Sequence, residues 1–136
     1  MLTYNHYLKE LGIKLTDYPF AEIDNQDDSR YIPDKEGFRE SEFWSLDFSL
    51  ACYIYSQLCY FRDYCLCGHP AYLTEDKWKR ILDKMIKAFR LYIEPDDHKD
   101  DLLLSDEQKE MKSKNKQKQI TYGMRLFVKY FGGLWY

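Results

Sequence analysis

The chain has 136 residues, a formal net charge of −3 and 45% hydrophobic residues. This length fits one domain with a core of its own, and the charge gives no global field toward nucleic acid. Thirteen Tyr, eight Phe and three Trp make it unusually aromatic, which suits cores, interfaces and stacking sites alike.

Leu2 to Leu11 reads as a short helix with Tyr4, Tyr7, Leu8 and Leu11 on one side, stopped by Gly12. Residues 13–40 hold Pro19, Pro33, Gly37 and the acidic run Asp24-Asn25-Gln26-Asp27-Asp28. They are expected to form an extended arm, pinned by its aromatics across its own bundle or a neighbouring subunit.

The first long helix is predicted over residues 41–67, with Ser41 as N-cap and Gly68 and Pro70 beyond its end. Its expected core stripe is Phe43, Leu46, Leu50, Ile54, Leu58, Phe61 and Cys65, widened by Tyr53, Tyr60 and Tyr64. A second helix spans 74–94, capped by Thr74, with Trp78, Ile81, Leu82, Met85, Ile86, Phe89 and Ile93 on its apolar face and Pro95 as its stop. Ser105 and Gln108 make a capping box for a third helix over 105–131. The first half of that helix is polar. The second half carries Ile120, Met124, Phe127, Val128, Phe131 and Leu134, and Leu134-Trp135-Tyr136 is expected to fold back on the core. The predicted fold is all-α: an antiparallel bundle of three long helices with a short N-terminal helix and the arm, in a single domain over 1–136.

Charge is uneven along the chain. Residues 1–51 carry eleven acids against five bases, and residues 52–136 twelve against fifteen. This asymmetry means either two solvated surfaces or a steering field for an anionic ligand or a head-to-tail contact. Neither a signal peptide nor an apolar run of membrane-spanning length is legible, which predicts a cytoplasmic protein with reduced thiols.

Few residues form constellations that carry chemistry. Cys65-Leu66-Cys67-Gly68-His69 offers three soft ligands at a helix end, whereas a structural zinc site takes four, usually as two pairs. Cys65, Cys67 and His69 are therefore a weak metal alternative, and the expectation is no metal and no cofactor. No Glu-x-x-His motif, phosphate-binding glycine loop or nucleophile elbow is present, so a hydrolase or nuclease is the least favoured class and a non-enzymatic protein the expected one. Asp47, beside Leu46 and Leu50, is either a register-fixing hydrogen-bond partner or a ligand contact. The run Lys109, Lys112, Lys114, Lys116, Lys118 reads as a solvated face or an anion-binding rim; it lacks the interleaved aromatics of a nucleic-acid site, and nucleic acid is not expected.

Three stretches together resemble a group of small helical phage and prophage proteins. Phe43-Trp44-Ser45-Leu46-Asp47-Phe48-Ser49-Leu50-Ala51 is similar to its Trp-Asn-Leu-Asp-x-Thr-Ile-Ala helix start, with Ser45 in place of the usual Asn. Leu73 to Trp78, running into Ile81-Leu82-Asp83-Lys84-Met85-Ile86-Lys87-Ala88-Phe89, resembles its second helix. Leu126-Phe127-Val128-Lys129-Tyr130-Phe131 with Leu134-Trp135 resembles its C-terminus, so the likeness covers residues 38–136. The Cys- and Tyr-rich middle of the first long helix departs from it. The resemblance implies a phage source, the infected host cell as location, and no assigned catalytic residues.

The resulting expectation is a phage accessory protein that counters host defence by sequestering a small anionic or nucleotide ligand in a homo-oligomeric helical assembly. Trp44 and Trp78 are candidates to stack a base, Asp47 to contact the ligand, and Arg62, Lys84 and Lys129 to meet phosphate. The alternative is an interaction module that binds and inhibits a host protein through the arm or the lysine face.

Overall fold

The computed structural model describes residues 3–20, 28–95 and 99–135. Among them every regular element is helical: α1 (His6–Glu10), α2 (Leu46–Tyr64), α3 (Glu75–Ile93) and α4 (Asp106–Lys129), with short 3-10 turns between and after them. The buried side chains form one cluster drawn from α1, the arm, α2, α3 and the end of α4. No helix among the described residues is long and apolar enough to cross a membrane.

Local chemistry sets the helix ends. Asn5 accepts from the Leu8 N–H and starts α1 four residues after the predicted Leu2, while Gly12, at φ 80°, turns the chain away. Thr74 caps α3, and the Ser105–Gln108 capping box starts α4. Ser41 does not cap α2. It lies buried in the turn Glu40–Phe43, and α2 begins at Leu46. The arm meets the chain just ahead of that helix, where the Tyr18 hydroxyl accepts from the Trp44 N–H.

The arm packs on its own bundle. Ile13, Pro19 and Phe20 are buried, Phe20 meets the Tyr4 ring edge-on at 5.2 Å, and Tyr4 Oη donates to the Ile13 carbonyl at 2.7 Å. The predicted acidic run from Asp24 to Asp27 lies outside the described residues.

α3 is the central helix, flanked by α2 and α4. It buries Trp78, Leu82, Met85, Ile86, Phe89 and Ile93, as the three-and-four spacing predicts. α2 runs antiparallel to it, since Tyr92 near the end of α3 donates to Asp47 near the start of α2. α4 crosses α3 closely at Gly123: a Cβ there would stand 2.3 Å from Ala88 Cβ and 2.5 Å from the Lys84 carbonyl oxygen. Beyond the crossing, Tyr130 reaches the Trp78 ring edge-on at 5.9 Å, which brings the end of α4 back to the start of α3. The polar first half of α4 is almost wholly exposed, and Lys112 ties it to Asp101 at 2.8 Å.

α2 corrects the expected stripe. The residues it buries are Ser49, Ala51, Cys52, Tyr55, Ser56, Leu58 and Cys59, whereas Phe43, Leu46, Leu50, Tyr53, Tyr60 and Tyr64 are all exposed. Both sets repeat at helical spacing. The inward face combines five small residues, Ser49, Ala51, Cys52, Ser56 and Cys59, with Tyr55 and Leu58.

Candidate functional site

A cavity of about 420 Å³ opens at the end of the bundle where α2 stops and α4 finishes. The α2–α3 connection supplies Cys67, Gly68, His69, Pro70 and Tyr72 to one wall. Lys129, Tyr130, Gly132, Gly133 and Trp135 supply the other.

Each wall is held by the chain's own chemistry. The first is folded by a turn in which the Leu73 N–H donates to the Pro70 carbonyl at 2.9 Å, just ahead of the Thr74 cap. The second is folded by the turn Phe131–Gly133, which breaks α4. Gly133 lets the walls meet: a Cβ there would lie 3.3 Å from Pro70 Cγ and 3.5 Å from the Trp78 ring. Tyr130, buried on Trp78, forms a firm floor.

The polar groups of this cavity are few and convergent. Lys129 Nζ lies 5.2 Å from the Tyr130 ring centroid and, among the described residues, has no carboxylate partner. His69 Nδ1 lies 2.9 Å from the Pro70 carbonyl oxygen, a contact that Nδ1 makes as a donor. Tyr72 and Trp135, each 74% exposed, offer aromatic surface at the rim. The C-terminal carbonyl end of α4 carries partial negative charge, and Lys129 in its last turn offsets it. Together these groups suit a planar ring bearing an anionic group.

Of the residues expected to contact a small anionic ligand, only Lys129 lines this cavity, together with Cys67 and His69 from the weak metal alternative. Trp78 is 1% exposed beneath Tyr130 and Gly133, so its ring is core and not a stacking platform. Trp44 is occupied by the arm: the Tyr18 ring stacks on it at 4.7 Å and 8°, Tyr31 meets it edge-on at 5.9 Å, and the Arg30 guanidinium sits 5.2 Å away. Asp47 is exposed and accepts from Tyr92, and that hydrogen bond holds its carboxyl below the usual range. It is a link between helices.

Arg62 is likewise committed. Its Nε donates to Asp63 at 2.9 Å and its NH1 to Asp83 at 3.1 Å, while Tyr7 Oη donates to the same Asp63 carboxylate at 3.0 Å. The chain Tyr7–Asp63–Arg62–Asp83 thus ties α1, α2 and α3 together. Lys84 Nζ lies 5.5 Å from the Tyr122 ring centroid and braces α3 against α4.

Cys65, Cys67 and His69 do not come together as a ligand set, because no three His, Cys, Asp or Glu among the described residues form a group that could hold a metal ion. Burial pushes the Cys52 thiol up to about 12 and raises Cys59 as well, so these two are core thiols. On the lysine face, Lys114, Lys118, Tyr122 and Arg125 border a shallow groove of about 360 Å³ built entirely from α4, with no second wall.

Sequence reasoning missed Tyr72 and Trp135 as rim residues. Of the expected Leu134-Trp135-Tyr136 return to the core, Leu134 packs there, Trp135 is exposed, and Tyr136 lies outside the described residues. The available signal was the Gly132-Gly133 pair, which frees the chain after α4 to turn Trp135 outward. No family model, curated protein or solved structure matches the chain.

Proposed function

We propose that this chain is a non-enzymatic, phage-encoded binding protein that counters host defence by sequestering a small anionic, nucleotide-type ligand in the cavity at the end of the bundle. The observation that carries this reading is a concave site lined by Lys129, which has no carboxylate partner among the described residues, by His69 and by the rings of Tyr72 and Trp135. Ligand sites are mostly apolar clefts with a few convergent polar groups, about 300–1,000 Å³ in size, and this cavity falls in that range. A base or other planar ring would stack on Tyr72 or Trp135, with its charged group toward Lys129. The phage and anti-defence parts rest on the resemblance alone, which is an argument by analogy.

Native mass spectrometry of the full chain after incubation with a small-molecule extract of the host tests this. The expected result is a discrete retained mass, reduced at least tenfold in occupancy by Lys129→Glu or Trp135→Ala and unchanged by Trp44→Ala or Arg62→Ala. No retained mass on the wild-type chain, or a mass indifferent to both cavity variants, would contradict the site and return weight to inhibition of a host protein.

A further inference from the structure

The outward face of α2 carries a pattern that the fold leaves unused. Leu46, Leu50, Tyr53, Gln57, Tyr60 and Tyr64 follow one another at steps of three and four along α2, and all six are exposed, with Phe43 exposed in the turn ahead of the helix. This is the a/d spacing of a helix that pairs with another helix. In that register Ala51, Cys52, Tyr55, Leu58 and Cys59 fall at the b, c and f positions, on the opposite side, and those residues pack against the bundle. The stripe is therefore not surplus core but a second face.

We infer that α2 pairs through this stripe with α2 of a second copy, making the chain a homodimer. Four observations favour a second copy over another occupant. No charged residue stands at any a or d position from Phe43 to Tyr64, so the stripe matches a surface as apolar as itself. Its one polar member, Gln57, sits near the middle, where a lone buried amide sets register in helix pairs. An apolar groove of about 490 Å³ runs beside the stripe, between Tyr53, Tyr60 and Phe61 on one side and Phe127, Phe131 and Trp135 on the other. With Phe131 and Trp135, the stripe offers on the order of 800 Å² per copy, the size of a standard stable interface of about 1,600 Å² in total.

Antiparallel pairing fits the side chains best. It sets Leu46 against the partner's Tyr64, Leu50 against the partner's Tyr60, and the Gln57 amide against the partner's Tyr53 hydroxyl. Each large ring then meets a smaller side chain. Parallel pairing would crowd four tyrosine rings at one end. This inference shares Trp135 with the rim of the ligand cavity but is carried by the α2 stripe.

Sedimentation equilibrium on the full chain tests it, with circular dichroism to verify that each variant stays helical. The wild-type chain is expected to dimerise. Leu50→Glu should weaken association at least a hundredfold, because it places two charges in the seam, and Gln57→Leu should strengthen it at least fivefold. Benzoylphenylalanine at position 64 should cross-link to the partner's peptide containing Leu46. A monomeric wild-type chain overturns the inference, whether or not the groove takes up an apolar dye; uptake would assign the groove to a small molecule. A dimer indifferent to Leu50→Glu and Gln57→Leu places the interface elsewhere and overturns it equally. A cross-link to the peptide containing Tyr64 overturns the antiparallel register.

Discussion

α2 and α3 have the same length, nineteen residues each, and opposite habits. α3 hides its largest apolar residues, with Trp78, Leu82 and Met85 almost wholly buried, and shows charge on its other side. α2 buries five small residues beside Tyr55 and Leu58, and presents Leu46, Leu50, Tyr53, Tyr60 and Tyr64 outward. The comparison teaches that apolar periodicity marks a helix without saying which apolar face is the core. On α3 one stripe exists and burial has no choice. On α2 two stripes compete, and the one that combines small residues with Tyr55 and Leu58 takes the interior.

Matched substitutions give the sharpest contrast. Leu82→Ala should destabilise by about 2–5 kcal/mol, the usual cost of emptying a buried leucine site, since Leu82 is 0% exposed. Leu50→Ala, at a residue 50% exposed, should cost under about 1 kcal/mol in dilute, monomeric protein, because part of the side chain is wet and alanine favours helix. Urea unfolding of both variants measures the difference; equal losses would erase the distinction between the faces.

The α3–α4 crossing gives the next effect. Gly123→Ala must push the helices apart, since the new methyl meets Ala88 Cβ and the Lys84 carbonyl. A loss of about 1–3 kcal/mol is expected from such overpacking, despite alanine's better helix propensity. Pairing it with Ala88→Gly should recover part of the loss in the same unfolding assay, and no recovery would mean the crossing lies elsewhere.

The smallest effect is electrostatic. Arg62, and secondarily Tyr7, hydrogen-bond Asp63 and hold its carboxyl below the ordinary 3.8, and Tyr92 does the same for Asp47. A depressed folded value means that these groups stabilise the fold above the ordinary value and lose that contribution as pH falls through the depressed one. Thermal midpoints should therefore drop as the solution is acidified below about pH 4, and Asp63→Asn should flatten that drop. An unaltered pH profile in Asp63→Asn would remove the Tyr7–Asp63–Arg62–Asp83 chain from the account.

Much of the fold was legible in the residues. The Thr74 cap, the Ser105–Gln108 box, Gly12 and Pro95 act through neighbours a few positions away, so local sequence suffices to read them. The start of α2 was not legible, because a 3-10 turn over Glu40–Phe43 precedes it and the next residue, Trp44, is held from the arm by Tyr18, twenty-six residues upstream. The candidate site was legible at Lys129 and, as metal-ligand types, at Cys67 and His69. Trp44, Trp78 and Arg62 have the right chemistry for a ligand, but they spend it on Tyr18, the core and two aspartates. Type alone does not tell a committed side chain from a free one.

The claim that α2 keeps its small face in and offers its large face to a second copy is tested most directly by hydroxyl-radical footprinting of the wild-type chain across a dilution series. Tyr55 should stay protected at every concentration, while Tyr53, Tyr60 and Tyr64 should be protected when concentrated and become reactive together on dilution. Reactive Tyr55, or Tyr53, Tyr60 and Tyr64 whose reactivity does not change with concentration, would contradict it.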